Sequence, residues 1–161
     1  MVSTVELPDI IISIASIQHL DEAVQCWRSL VIDQKKHDAR ISTDSLSDSE
    51  QRQFLRSVIL DGRLIIALDS SRVIGISTIA IDNNMLDKSQ SVWNISDVWV
   101  DFEYRRRGVG IQLVNECEKQ AKSKGASEIR LQVYSTNQPA SMMYGRLGYR
   151  TISRMMTKKL D

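Results

Sequence analysis

Two spacings organise the hydrophobic residues of this chain, one of period two and one close to 3.6. "IIISIAS" (Ile10–Ser16) is a short β-rich run, and the residues up to Pro8 predict a loose leader. From His19 onward Leu20, Ala23, Val24, Trp27, Leu30 and Val31 recur at helical spacing. Asp21 and Glu22 stand in the first turn of that helix, where its dipole favours carboxylates. The polar stretch "DQKKHDARISTD" predicts a loop. Ser47 and Glu50 then form a capping box ahead of a helix carrying Phe54, Leu55, Val58 and Ile59, stopped by Asp61-Gly62. "RLIIALD" and "VIGISTIAI" are strand-like runs joined at Ser70-Ser71-Arg72, a hairpin signal. After the polar loop "DNNMLDKSQS", "VWNISDVWV" (Val92–Val100) predicts the next strand. A helix from about Gly108 places Val109, Leu113, Val114, Cys117 and Ala121 on one face and closes at Gly125. "SEIRLQVY" alternates as a strand, "NQPASMMYGRLG" predicts a short helix from near Pro139 to Gly148, and "YRTISRMMTKKL" predicts a last strand. The order β-α-α-β-β-β-α-β-α-β implies an α/β fold with one mixed sheet and helices on its faces. No repeat, low-complexity tract or linker divides it, so residues 1–161 are expected to form a single domain.

Bulk composition narrows the function. The chain has 161 residues, 42% hydrophobic and 25% charged, and a chain of this length buries about 70% of its unfolded surface without staples. Lys and Arg number 21 against 20 Asp and Glu, a net charge of +1. That balance argues against a general nucleic-acid binder and makes Arg105–Arg107 a local device. Cys26 and Cys117 share no metal-ligand spacing with His19 or His37, so no metal site is expected, and each cysteine sits in a helical pattern as a small buried hydrophobe. The run Ile10–Ile17 is broken by serines and too short to span a membrane. A reducing cytoplasm is the expected compartment.

The segment "VWVDFEYRRRGVGIQLV" (Val98–Val114) concentrates the chemistry. A helix N-terminus leaves backbone N–H groups unpaired and carries the positive end of the helix dipole. Gly108 and Gly110 remove side chains that would hold a ligand away from those donors, and Arg105, Arg106 and Arg107 add cationic arms. Such a turn suits a pyrophosphate. The Walker A pattern is missing, and Leu113 occupies the third small-residue position of a dinucleotide fingerprint begun at Gly108.

Arg105-Arg106-Arg107-Gly108-Val109-Gly110 resembles the [QR]-x-x-G-x-[GA] motif of the GNAT superfamily of N-acetyltransferases, after a strand ending in Val100. A second signature follows in order: Asn137, Pro139-Ala140, Tyr144 and Leu147-Gly148-Tyr149. The match covers roughly residues 93 to 159. The resemblance implies a GNAT-like fold and acetyl-CoA as acyl donor. It implies that the backbone of Arg105, Arg106, Arg107, Gly108, Val109, Gly110 and Ile111 holds the pyrophosphate. Val98, Trp99 and Val100 would pair with the pantetheine arm, Asn137 would bond to that arm, and Tyr144 would face the thioester sulfur. Phe102 replaces a common proline of the family's loop, and Ser96 stands where many relatives carry an acid.

As chemistry, Tyr144 is a phenol able to protonate a departing thiolate. Period two puts Trp93, Ile95, Asp97 and Trp99 on one strand face, so Asp97 is expected among apolar neighbours with a raised pKa, as a general base; a structural aspartate bonded to backbone is the other reading. His37 lies in the loop that lines the acceptor site in the family. Trp27 and Phe54 read as core, Trp93 and Trp99 as core or pocket wall. The expected function is acetyl transfer from acetyl-CoA to a primary amine of a small molecule, by direct attack in a ternary complex. A protein or peptide N-acetyltransferase, acting on an N-terminus or lysine, and a non-catalytic acyl-CoA-binding module are the alternatives. Neither nucleic acid nor membrane is an expected partner, and a homodimer is left open.

Overall fold

The apolar runs become a five-stranded sheet whose two faces are covered by different helices. The computed structural model describes residues 9–43, 46–82 and 91–160; the leader up to Pro8 and residues 83–90 of the polar "DNNMLDKSQS" stretch lie outside the described residues. In chain order the elements are β1 (Ile10–Ile14), α1 (Leu20–Lys35), α2 (Asp48–Leu60), β2 (Leu64–Asp69), β3 (Arg72–Ile81), β4 (Val92–Val100), α3 (Val109–Ser123), β5 (Glu128–Leu131) and α4 (Gln138–Arg146). Strands lie side by side in sequence order, antiparallel from β1 to β4 and parallel between β4 and β5.

Local signals start and stop the helices where expected. At α2 the Glu50 N–H donates to Ser47 Oγ (3.3 Å) while the Ser47 N–H donates to Glu50 Oε2 (2.7 Å), the reciprocal pattern of a capping box. The predicted stripe of α3 is buried in full, from Val109 to Ala121. Successive residues of β2 face opposite ways: Leu64 and Ile66 join α1 and α2, while Ile65 and Ala67 join α3 and α4. Both faces being covered, β2 reads as an unbroken apolar run and not an alternating one. Cys26 and Cys117 are both buried free thiols, and burial pushes each up to about 12. Among the described residues no helix is long and apolar enough to cross a membrane.

Three expectations change. Phe54 is 44% exposed, because Leu55, Val58 and Ile59 take the inward face of α2; its ring leans on half-buried Trp27 at 6.0 Å between centroids. The stretch expected as a last strand, Tyr149 onward, pairs with no strand among the described residues: residues 150–160 are exposed and belong to no helix or strand. Alternation supplies propensity, but a strand exists only against a partner edge. Finally, β4 carries a bulge. Thr78 pairs with Asp97 and Ile79 with Ile95, which leaves Ser96 as an extra, exposed residue. The single face expected for Trp93, Ile95, Asp97 and Trp99 is therefore divided. Trp93 and Ile95 pack with α3, whereas Trp99 packs with the α1–α2 core and Asp97 lies on its side of the sheet.

Candidate active site

β4 and β5 are held together by four residue pairs only, from Val92–Glu128 to Ile95–Leu131. Past Ile95, β4 continues to Val100 with no strand on that edge among the described residues, so edge-facing main-chain groups of Ser96–Val100 can meet an extended ligand, apart from the Asp97 and Val100 carbonyls, which accept from Ser77 Oγ and Arg105 Nε (2.8 Å each). Asp101 ends the strand. It accepts from the Glu103 N–H (3.2 Å) to set a short 3₁₀ turn, Phe102–Tyr104, and pairs with Arg72 at 2.6 Å.

The chain then twists into α3 through two left-handed residues, Arg106 (φ 65°) and Gly108 (φ 83°). No atom lies within 4 Å of where a Cβ would stand on Gly108, so its glycine is demanded by conformation alone. As N-cap it also offers no side-chain acceptor. The first bond of the helix runs from the Gln112 N–H to Gly108 O at 3.1 Å, leaving the N–H groups of Val109, Gly110 and Ile111 without an intrahelical partner. At Gly110 a Cβ would come 3.2 Å from Met143 Sδ, so that glycine lets α4 pack closely on α3.

The three arginines divide their work. Arg105 is tied down: its Nη2 donates to Asp33 Oδ2 at 2.6 Å, its Nε to Val100 O at 2.8 Å, and its guanidinium lies over Phe102. Arg106 and Arg107 are exposed, and Arg107 covers the Tyr104 ring. Two of the three cationic arms expected beside the helix N-terminus are thus available, and the third braces the turn.

Asn137 is the N-cap of α4; its Oδ1 accepts from the Ala140 N–H at 3.3 Å, which spends the oxygen and leaves the Nδ2 donors. About two turns later, Tyr144 is buried among α3 and β-sheet side chains with its ring against Tyr149 (5.7 Å). Burial, with a smaller contribution from Cys117, lifts its phenol to about 12. The hydroxyl makes no hydrogen bond to the protein, yet no buried side-chain oxygen is left unpartnered among the described residues, so it must touch solvent. It is an open donor on a buried ring.

Asp97 accepts from Thr78 Oγ1 at 2.6 Å, and burial raises its carboxyl despite that bond. His37 lies where the loop after α1 meets the segment before α4: its Nδ1 is 2.9 Å from Thr136 Oγ1 and its ring stacks on Tyr134 at 5.9 Å. Two cavities, of 320 and 790 Å³, lie along α1 and α2; neither is lined by β4 or by residues 105–111. Among the described residues no group of three or more His, Cys, Asp or Glu could hold a metal ion.

An open strand edge running into a helix N-terminus with unspent donors can seat an extended, phosphate-bearing ligand in one cleft, and a family model described as "Acetyltransferase (GNAT) family" matches residues 24–149. This chain belongs to the acetyltransferase (GNAT) family. Among curated proteins, an uncharacterized N-acetyltransferase of Methanocaldococcus jannaschii is 33% identical over 73 residues, 44% of this chain and 32% of that protein. Thialysine N-epsilon-acetyltransferase of Bos taurus is 34% identical over 65 residues, 37% of this chain and 38% of that protein. The match thus spans about a third of these relatives' length. In fold, the GNAT chain is similar to the BH1408 protein of Bacillus halodurans (TM-score 0.79, 21% identity, 93% of this chain and 99% of that one). It is also similar to aminoglycoside N-acetyltransferase AAC(6')-Iy in complex with CoA (TM-score 0.70, 19% identity, 96% of each chain).

Sequence reasoning placed the GNAT turn and α4 but missed three partners within the cleft: Asp33, which also accepts from Trp99 Nε1 at 3.1 Å, Thr78, and the Tyr134–Thr136 pair facing His37. Each acts across the fold, and no local spacing marks it. The one signal within reach was the first-helix C-terminus, where a carboxylate is out of place against the dipole and so needs cationic partners.

Proposed function

We propose that this protein transfers acetyl from acetyl-CoA to a primary amine of a small molecule, by direct attack in a ternary complex. The observation that carries the reading is a pair of open main-chain sets joined by one turn, the free edge of β4 and the unspent N–H groups of Val109, Gly110 and Ile111. A pantetheine arm fits the first as an added strand would, and a pyrophosphate fits the second. Arg106 and Arg107 add charge at its rim, and the Asn137 amide can donate to the arm.

The amine must arrive without its extra proton, since an unperturbed ammonium titrates near 10.4. Asp97 is the base in this reading, directly or through one water, because burial keeps its carboxyl more basic than usual. N–H groups of the open β4 edge polarise the thioester carbonyl. As the carbon–sulfur bond breaks, Tyr144 donates to the sulfur. With its phenol near 12 against about 8.5 for an ordinary thiol, the resting proton stays on Tyr144. Its hydrogen bond stabilises the leaving thiolate, and the proton shed by the amine balances the one the thiol finally gains.

The contact of His37 with Thr136 and Tyr134 supports a small acceptor over a peptide, since it bridges the loop after α1 to the segment before α4, where a peptide groove would have to open. The proteins named for thialysine and aminoglycoside N-acetylation point the same way. A cytoplasmic setting matches the reducing state of the two buried thiols.

The test joins binding to turnover. Acetyl-CoA should raise the thermal midpoint and slow amide exchange at residues 108–112 and 96–100. A panel of small amines and N-terminal peptides, read by CoA release, should give turnover with a small amine. A thermal shift without protection at residues 108–112 would remove the turn from the site. Protection without CoA release from any amine or peptide would leave a binding module.

A further inference from the structure

We propose that Asp33 is a positioning residue for acyl-CoA binding: it holds the free edge of β4 and the turn before α3 at the separation that a single ligand needs. The inference rests on the reading above, in which that edge takes the pantetheine arm and the N–H groups of Val109, Gly110 and Ile111 take the pyrophosphate. Two seats outdo one for a ligand that spans them only when their separation is fixed. The segment Asp101–Gly108 joins the two, so its moorings govern how well they cooperate.

Toward β2 and β3 the segment is held three times. The Asp101 N–H donates to Ile74 O at 2.8 Å, Arg72 Nη2 donates to Asp101 Oδ2 at 2.6 Å, and Tyr104 Oη donates to Asp69 Oδ2 at 2.5 Å. Toward the free edge it is held by Arg105. The Asp101 N–H points inward to β3, so by alternation the N–H and C=O of Val100 point outward to the open edge. Arg105 Nε donates to that Val100 carbonyl at 2.8 Å. The first arginine of the turn is thereby bonded to the last residue of the edge.

Electrostatics alone would drive Arg105 out of that place. It stands beside Arg106 and Arg107 and just before α3, whose N-terminal dipole end repels a cation. Asp33 supplies the opposing charge. Its Oδ2 accepts from Arg105 Nη2 at 2.6 Å and from Trp99 Nε1 at 3.1 Å, so one oxygen ties the turn to β4. The carboxylate is out of place in its own helix, since it lies in the last turn of α1 against the dipole, with Lys36 Nζ at 2.6 Å from Oδ1. Its position makes sense through its partners across the fold. The side chain bonds to no main-chain group of either seat, so it acts through Arg105 and Trp99. Without it Arg105 is released, Val100 is uncoupled from the turn, and the two seats shift against each other. A ligand spanning both must then order them itself, whereas a ligand that uses one seat loses little.

The experiment is titration calorimetry of the full chain with two probes, the weaker one read by displacement. Acetyl-CoA spans both seats; 3′-phospho-ADP is CoA without its pantetheine arm and uses the phosphate seat alone. The variants are Asp33→Ala, Asp33→Asn (which keeps one acceptor oxygen but no charge), Arg105→Met, and the double variant Asp33→Ala with Arg105→Met. In Asp33→Ala the Kd for acetyl-CoA should rise about tenfold or more, and that for the armless probe by less than about threefold. Asp33→Asn should fall between Asp33→Ala and wild type. The double variant should lose no more than the worse single one, because both break the same junction. In turnover the KM for acetyl-CoA should follow its Kd, while kcat at saturation stays within about threefold. An unchanged Kd for acetyl-CoA in folded Asp33→Ala overturns the proposal alone. So do equal losses for the two probes, which would mean a damaged phosphate seat, or additive losses in the double variant. A wild-type protein that fails to bind either probe overturns the two-seat reading and the proposal with it. If Asp33→Ala does not fold, Asp33→Asn carries the same comparison.

Discussion

Asp33 accepts a hydrogen bond from Arg105 at 2.6 Å across 72 residues of sequence. The same carboxylate takes Lys36 Nζ at 2.6 Å and Trp99 Nε1 at 3.1 Å. It thus joins the end of α1 to β4 and to the turn before α3, holding these three elements in one register.

Asp33→Asn should loosen that junction. Burial alone would raise this carboxyl, but the hydrogen bonds from Lys36, Arg105 and Trp99 outweigh it and the net shift is downward. A lowered carboxylate stabilises the fold above its unfolded value near 3.8 and loses that contribution as pH falls through its folded value. A partly exposed pair of this kind contributes about 1 kcal/mol, so the midpoint should fall about 2–4 °C at pH 7. Thermal scans should show the gap to wild type closing below about pH 4; a gap unchanged by pH would mean the loss is not one of charge.

Tyr144→Phe removes a hydroxyl that has no protein partner, so packing and acetyl-CoA affinity should hold while kcat falls by up to about 10²-fold. Because the phenol lies near 12, wild type should show no alkaline limb from this residue below about pH 10. Rapid-quench rates of the chemical step, equal in both proteins, would reduce Tyr144 to packing.

Asp97→Asn makes opposite demands on activity and stability. Activity should drop and the acidic limb of the pH–rate profile should vanish. Stability should not suffer at neutral pH. A carboxyl raised by burial contributes its full stability below its unfolded value and loses it as pH rises through the folded value. The amide variant should therefore match or exceed wild type in Tm at pH 7–8, with the difference shrinking toward pH 4. Normal turnover in a folded Asp97→Asn protein would move the base elsewhere, with His37 and Glu103 the first alternatives.

Gly75→Ala tests the support behind the cleft. The new Cβ would stand 3.0 Å from Trp99 O and 3.1 Å from Leu113 Cδ1. Leu113 can turn, but a backbone carbonyl within the sheet cannot retreat cheaply. Overpacking of this kind costs about 1–3 kcal/mol, or about 2–12 °C of Tm for a chain of this size. Calorimetry with and without acetyl-CoA would separate lost stability from lost binding.

What was legible in the sequence followed the range of the interaction. Ser47–Glu50, Gly108 and the stripe Val109–Ala121 are local patterns, and each appears in the structure where spacing put it. The two motifs on either side of β5 were readable for the same reason: each is a contiguous turn and helix start. The division of β4 was not readable, because a bulge depends on how β3 is aligned and not on what Ser96 is. Nor were Thr78 and Asp33, whose roles are set by partners 19 and 72 residues away. The tail was readable as a strand but not as a strand without a partner in its own chain, since alternation says nothing about which edge is free.

The bulge in β4 makes chain length matter more than residue type at one position. Ser96 is exposed and tolerates many substitutions, but its deletion would make Ile95 and Asp97 consecutive partners of Ile79 and Thr78, on the faces they already occupy, and would take the bend and extra twist out of the strand. Val98 and Val100 would stay on the α3 side and Trp99 on the α1–α2 side, but the edge they form would leave Ile95 at another angle and no longer be aimed as it is at the turn before α3. Variation among descendants of this gene should therefore be wide in side chain at position 96 and almost nil in spacing, so that an insertion or loss there would mark a lineage in which the strand had changed its task.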